Sequence, residues 1–177
     1  MRTSESAIHI CRTEDEATIL AIINAAAQRY RGVIPDDCWH DPYMSSQQLA
    51  HDIASDVRFW GCEDNAGHLM AVMGIQPVKD VTLVRHAYVR PEFQGKGIGS
   101  VLLRHLETLT DQRILIGTWA AATWAIRFYE AHGYTLIARD EVPALLATYW
   151  DIPLRQVETS VVLSKAARTT PVMSNER

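Results

Sequence analysis

Hydrophobic positions along the chain change period several times, and each change marks an element. Ile8-His9-Ile10-Cys11 alternates as a short strand does. A helical period follows. Thr13 is expected to cap it, with Glu16 at the third helical position as a capping box. Ala17, Leu20, Ala21, Asn24 and Ala25 fall on one face before the pattern fades near Tyr30. The stretch from Gly32 to Met44 holds Pro35, Pro42, the pair Asp36-Asp37, Trp39 and Tyr43, and reads as a loop with helical fragments. Ser45 or Ser46 caps a second expected helix, with Leu49, Ile53 and Ala50 inward.

A strand-rich section comes next. Val57 to Cys62 and His68 to Ile75 flank a turn over Asp64-Asn65-Ala66-Gly67. Val81 to Arg90 is a longer third strand, ended by Pro91. From Gly97 the period is helical again, through Ile98, Val101, Leu102, Leu106 and Leu109. Arg113 to Thr118 is mostly apolar, as an interior strand is. Ala121 to His132 predicts a helix closed by Gly133, and Tyr134 to Arg139 and Glu158 to Leu163 predict the last two strands. This order describes an α+β domain: a central mixed, mostly antiparallel sheet of six to seven strands flanked by about four helices. One domain over residues 1–165 is expected, with a polar, frayed tail over 166–177.

Composition narrows the partners. A formal charge of −4 and a pI near 5.9 argue against nucleic acid or an anionic membrane as the main partner. No run approaches the roughly 20 apolar residues of a membrane span, and the first residues lead into no signal-peptide core. Cys11, Cys38 and Cys62 are odd in number and widely spaced, which suits buried thiols in a reducing compartment better than zinc or disulfides. The expectation is a soluble, cytoplasmic protein without a metal.

The chemistry concentrates in Tyr88-Val89-Arg90-Pro91-Glu92-Phe93-Gln94-Gly95-Lys96-Gly97-Ile98-Gly99, which runs from a strand through a glycine-rich turn into a helix. Glycines let backbone N–H groups approach an anion closely, and the helix start adds its positive dipole end. The spacing is neither that of a P-loop nor that of a dinucleotide fingerprint, and it lies mid-chain after antiparallel strands. From these residues alone, a phosphate cradle and a tight connection without ligand both stand.

Gln94 to Gly99 matches the Arg/Gln-x-x-Gly-x-Gly/Ala motif of the GCN5-related N-acetyltransferase (GNAT) superfamily. Ala125-Ile126-Arg127-Phe128-Tyr129-Glu130-Ala131-His132-Gly133-Tyr134 resembles that family's second landmark, and the order of elements is similar from Ile8 to Leu163. The resemblance implies acetyl-CoA as donor, its pyrophosphate on the amides of Gln94, Gly95, Lys96, Gly97, Ile98, Gly99 and Ser100. It implies a fourth strand that splays from the fifth, helped by a bulge, so that Ala87, Tyr88 and Val89 pair with the pantetheine arm. It gives Tyr129 the role of general acid toward the CoA sulfur, and the Val89 N–H that of polarising the thioester carbonyl. The activity implied is transfer of an acetyl group to a primary amine of a small molecule or peptide, by direct attack in a ternary complex. The alternative is a non-catalytic acyl-CoA-binding or regulatory module on the same fold.

The base has several candidates. His86 is a candidate because histidine titrates near neutrality, although strict alternation sets it on the face of Tyr88, away from Ala87 and Val89. A structural histidine is the competing reading. Leu83 and Val84 stand where some family members carry a glutamate, which leaves Glu63, Asp64 and an ordered water as other candidates. Ala122 stands at the family's asparagine position, so that CoA contact falls to Thr123 or to nothing. On the acceptor side the candidates are Trp39, Tyr43 and Tyr149, with Asp36-Asp37 as an acidic lure and Thr148 to Pro153 as a cover or a homodimer contact. A homodimer through the terminal strands would cover sheet edges.

Overall fold

The computed structural model describes residues 7–169. The expected tail beyond residue 169 and the leading six residues lie outside them. Seven strands form one sheet in the order β1-β2-β3-β4-β5-β7-β6. They are β1 (Ala7–Ile10), β2 (Arg58–Glu63), β3 (Leu69–Val78), β4 (Val81–Val89), β5 (Arg113–Trp119), β6 (Thr135–Leu136) and β7 (Ser160–Lys165). Every pairing is antiparallel except that of β4 with β5.

Helices cover both faces. On one lie α3 (Ile98–Glu107) and α4 (Thr123–Ala131), where Leu102, Leu103 and Leu106 pack with Val84, Ile116 and Leu163. Each of those fully buried leucines contributes on the order of 2 kcal/mol of transfer free energy. On the other lie α1 (Glu16–Ala27), α2 (Ser46–Ala54) and α5 (Val142–Tyr149), followed by the short α6 (Leu154–Glu158). Among the described residues no helix is long and apolar enough to cross a membrane, and Cys11, Cys38 and Cys62 form no disulfide.

Several local expectations need correction. The chain entering α1 is closed by the Asp15 carboxylate accepting from the Arg12 N–H (2.7 Å), not by Thr13. The buried stripe of α1 is Ile19, Ile22, Ile23, Ala26 and Ala27, whereas Ala17, Ala21 and Ala25 face water. The larger side chains remove more apolar area from water, so they decide which face turns inward. Val101 on α3 and Leu109 just past its end are 46% and 44% exposed, and Leu103 takes the inward place. The chain between the last strands is helical: Val142 and Leu146 of α5 close over Val81, Leu83, Leu115 and Val162. Among the described residues six α-helices therefore stand where about four were expected. Ser45 does cap α2, its hydroxyl accepting from the Gln48 N–H (3.1 Å).

The feature that shapes the site is the parting of β4 and β5. They pair only from Val81↔Arg113 to Val84↔Ile116. Beyond that point β4 stays with β3, and β5 stays with β7 as far as Trp119↔Ser160, so a V opens between them. A bulge lies at the fork. Val72 opposes Tyr88 and Gly74 opposes Arg85, which leaves His86 and Ala87 together opposite Met73. His86, the first of the two, holds a φ of 53°, in the left-handed region.

Candidate active site

A cleft of about 490 Å³ runs from the V to the start of α3. Its floor is the freed edge of β4. The Arg90 N–H donates to Met70 O (2.9 Å) on β3, so strand alternation turns the N–H of Val89 and of Ala87 toward the open edge. The Val89 carbonyl on that edge accepts from Gln94 Nε2 (3.0 Å), a role for the glutamine side chain that motif reading missed.

At one end of the cleft the amides from Gly95 to Ser100 have no backbone partner, and the first helical bond is Val101 N–H to Gly97 O (3.1 Å). These are the orphan donors of a helix start, aimed where the dipole is positive. Gly95 and Gly97 hold φ of 75° and 79°, conformations that disfavour any side chain, and a Cβ at either would project into empty space. A diphosphate fits that space and those donors. Gly99 differs: a Cβ there would sit 3.5 Å from Phe128 and Val89, in ordinary contact. The Lys96 ammonium lies 5.3 Å from the centre of the Phe93 ring and does not line the cleft, which leaves Lys96 only its amide to offer.

At the other end lies Tyr129, on the inward face of α4 and 7% exposed. Its hydroxyl has no hydrogen-bond partner. Among the described residues the one buried side-chain N or O atom without a partner is His105 Nε2. The Tyr129 hydroxyl is therefore not sealed in the core but opens into the cleft that it lines. Burial, and Tyr30 nearby, push its pKa well above the ordinary phenol value, so it carries its proton at neutral pH.

A second, smaller cleft of about 110 Å³ opens on the α5 face and meets the first across the V, with Tyr30, His86, Tyr88 and Thr118 bordering both. Its walls are aromatic and polar. Tyr43 accepts from Trp119 Nε1 (2.8 Å), and burial pushes its hydroxyl up to about 12. Trp150 lies against Gly117, whose missing Cβ makes room: one there would stand 3.3 Å from the indole. His86 reaches across to α2, where its Nε2 lies 2.8 Å from Asp52 Oδ2.

The other expected residues fall elsewhere. Trp39 stacks on Tyr43 (5.9 Å) behind the second cleft and lines neither cleft. Tyr149 hydrogen-bonds Asp80 (2.8 Å) away from both; its neighbour Trp150 is the lining residue. Asp37 is held by Arg155 through two hydrogen bonds (2.7 and 3.2 Å), which ties the early loop to α6 and lowers the carboxyl pKa. It is a strap, not a free lure. Glu63 pairs with His9 (2.7 Å), and Asp64 closes its own turn by accepting from the Ala66 and His68 N–H groups. Neither lines the clefts, and Thr123 lines neither. Asp52 and Arg85 escaped the sequence reading, although Asp52 sits three residues after Leu49 and one before Ile53 on the inward stripe of α2. Trp124, under the Arg29 guanidinium (4.2 Å) and stacked on Tyr30 (5.9 Å), is a further wall of the first cleft.

Known proteins share this fold. Residues 55–136 match the family model for the acetyltransferase (GNAT) domain, a span that holds the V, the glycine loop and Tyr129. No curated protein matches the sequence. Among solved structures, the Escherichia coli ribosomal-protein-S18-alanine N-acetyltransferase superposes with a TM-score of 0.66 at 19% identity, over 97% of this chain and 99% of its own. The Thermoplasma acidophilum PaiA N-acetyltransferase, solved with coenzyme A, gives 0.65 at 16%, over 90% and 99%. A Staphylococcus aureus GNAT-family acetyltransferase gives 0.63 at 16%, over 90% and 98%.

Proposed function

We propose that the chain, whose residues 55–136 match the acetyltransferase (GNAT) domain model, is an acyltransferase that moves an acetyl group from acetyl-CoA to a primary amine of a small molecule or peptide, by direct attack in a ternary complex. The observation that carries this reading is the V: an edge of free backbone groups, with bare helix-start amides at one end and the unpartnered Tyr129 hydroxyl at the other. Acetyl-CoA supplies an activated acyl group as a thioester; the rest of the chemistry belongs to the chain.

The amides from Gly95 to Ser100 hold the pyrophosphate. The freed groups of Ala87 and Val89 take the pantetheine arm as a neighbouring strand would be taken. The Val89 N–H points at the thioester oxygen and stabilises the charge that develops there. Tyr129 protonates the departing thiolate, a task its raised pKa suits, because the phenol stays a donor until the thiolate forms. The acceptor enters by the second cleft, so amine and donor meet from opposite faces of the sheet. His86, on the border of both clefts, removes the ammonium proton.

The test is thiol release from acetyl-CoA with a panel of primary amines, run beside calorimetry with CoA. Turnover on at least one amine together with CoA binding is expected. Binding without turnover on any amine would turn the reading toward a binding module, and no binding would overturn both.

A further inference from the structure

We infer that Asp52 is a positioning residue for His86: it accepts the Nε2 proton, fixes the tautomer that leaves Nδ1 as a free acceptor, and aims that nitrogen into the clefts. The inference rests on His86 serving as the base and extends it to a residue on another element.

Three observations support it. Asp52 is 2% exposed and carries a carboxylate into the apolar stripe of α2. Such a group is costly to bury unless paired, and a leucine would fill the place at less cost. Here Gln48 Nε2 donates to it (3.1 Å), His86 lies at 2.8 Å and Arg85 Nη2 at 3.6 Å. Next, His86 Nδ1 has no partner, yet it is absent from the buried atoms that lack one, of which His105 Nε2 alone is found among the described residues. It therefore reaches solvent, and His86 borders both clefts. Last, successive side chains of a regular strand point to opposite faces. The bulge, with the left-handed φ of His86, puts Arg85 and His86 on one face, both against Asp52, while Ala87 keeps the other.

The groups facing the imidazole are Asp52 from α2, Arg85 beside it on β4, the Phe59 ring stacked on it from β2 (5.8 Å), and the phenols of Tyr30 and Tyr88 along the clefts. Burial lowers its pKa, the Asp52 hydrogen bond raises it, the Arg85 charge lowers it, and the net result is below the ordinary histidine value. At neutral pH Nδ1 is thus free to accept.

The protons balance as follows. A primary ammonium gives one proton to Nδ1, the neutral nitrogen attacks, the N–C bond forms and the C–S bond breaks. Tyr129 protonates the thiolate and regains a proton from the new amide nitrogen. His86 releases its proton to water, leaving amide, thiol and one proton.

The test compares Asp52→Asn, His86→Gln and the double variant, on the best amine of the panel, with imidazole 15N spectra of the unliganded protein. Asp52→Asn is expected to lower kcat about 10- to 100-fold with the KM for acetyl-CoA unchanged. It should also move the acid limb of kcat/KM to lower pH, because the group that raises the histidine pKa is gone. The double variant should be no slower than His86→Gln alone. In the wild-type spectrum the neutral ring should carry its proton on Nε2. Wild-type kcat and an unmoved acid limb in Asp52→Asn, with His86→Gln slow, would overturn the role of Asp52 and leave His86 as base. A His86→Gln variant at the wild-type rate would remove the base and this inference with it. A proton on Nδ1 in the wild-type spectrum would overturn the inference whether or not the Asp52 variant folds.

Discussion

Under the proposed function, the two clefts that meet at the V take their ligands by opposite means. In the proposed donor cleft the polar groups offered to a ligand are mostly main chain: the edge of Ala87 and Val89, and the amides of Gly95 to Ser100. What matters there is the absence of side chains, and almost all of it lies in one contiguous stretch. The acceptor cleft is built from side chains drawn from distant parts of the chain: Tyr30, Tyr43, Arg85, His86, Trp119, Trp150 and Gln156. The Asp37–Arg155 pair ties the early loop to α6. Backbone recognition is indifferent to sequence beyond a few glycines. Side-chain recognition is as individual as the residues that supply it. The same sheet can therefore keep one donor while its acceptor changes.

If that division is right, substitutions on the two sides should separate kinetically. The largest effect is expected at the Tyr129 end of the first cleft. Tyr129→Phe removes only the hydroxyl, so it should lower kcat about 100-fold while the KM for acetyl-CoA moves less than about twofold. Steady-state rates at saturating amine check this, and an unchanged kcat would take the general acid away from Tyr129. Next comes Gly97→Val, which strains a φ of 79° and fills the space above the loop. It should weaken CoA binding about tenfold, equivalent to roughly 1.4 kcal/mol, and leave the KM for the amine alone. Calorimetry with CoA reads it directly, and equal losses in both ligands would erase the distinction between the clefts.

The same division explains what sequence could and could not show. The glycine loop and Tyr129 stand out in the sequence because their signature is local: three glycines at fixed spacing, and one tyrosine on a helix face. The strands of the sheet were legible by period, and so were the splay and the bulge through family resemblance. The α5–α6 segment was not. The sequence reading assigns no element between Arg139 and Glu158, and the helices there are held by Val142 and Leu146 against the sheet, a tertiary effect with little local signature. Tyr149 and Trp150 show the limit sharply, since one residue of register decides which aromatic faces the cleft. Asp52 was hidden for a different reason. A charged residue on a helix is read as solvated by default, and its partners Arg85 and His86 come to one face only through a bulge.

A smaller change tests the contact between Gly117, which lines both clefts, and Trp150, which lines only the second. Gly117→Ala places a methyl group 3.3 Å from the Trp150 indole, so the ring shifts by a few tenths of an ångström or the strand yields. The expected result is a change of about threefold in the KM for the amine, with kcat and the KM for acetyl-CoA held. Initial rates against both substrates decide it. An effect confined to acetyl-CoA would mean that Trp150 belongs to the donor cleft, and the assignment of the two faces would be reversed.

The smallest expected effect is on stability, and it too should be one-sided. The folded-state pKa of His86 is lower than the ordinary value of 6.5. Below 6.5 the unfolded chain therefore binds a proton that the folded chain does not, and stability falls as pH drops toward the folded value. Burial raises the Asp52 pKa, but the His86 hydrogen bond and the Arg85 charge outweigh it and hold it under 3.8. The Asp52 contribution is present above 3.8 and is lost only as pH falls through its folded value. The first acid loss therefore belongs to His86, and it should be felt on α2, which carries its partner, before α3, which carries the donor loop. Hydrogen exchange between pH 7 and pH 5, corrected for intrinsic rates, should show the opening free energy of α2 amides falling while that of α3 amides holds, and His86→Gln should flatten the difference. Equal loss in both helices, or a difference that survives His86→Gln, would place the acid-sensitive group elsewhere and dissolve the link between the acceptor wall and the buried pair.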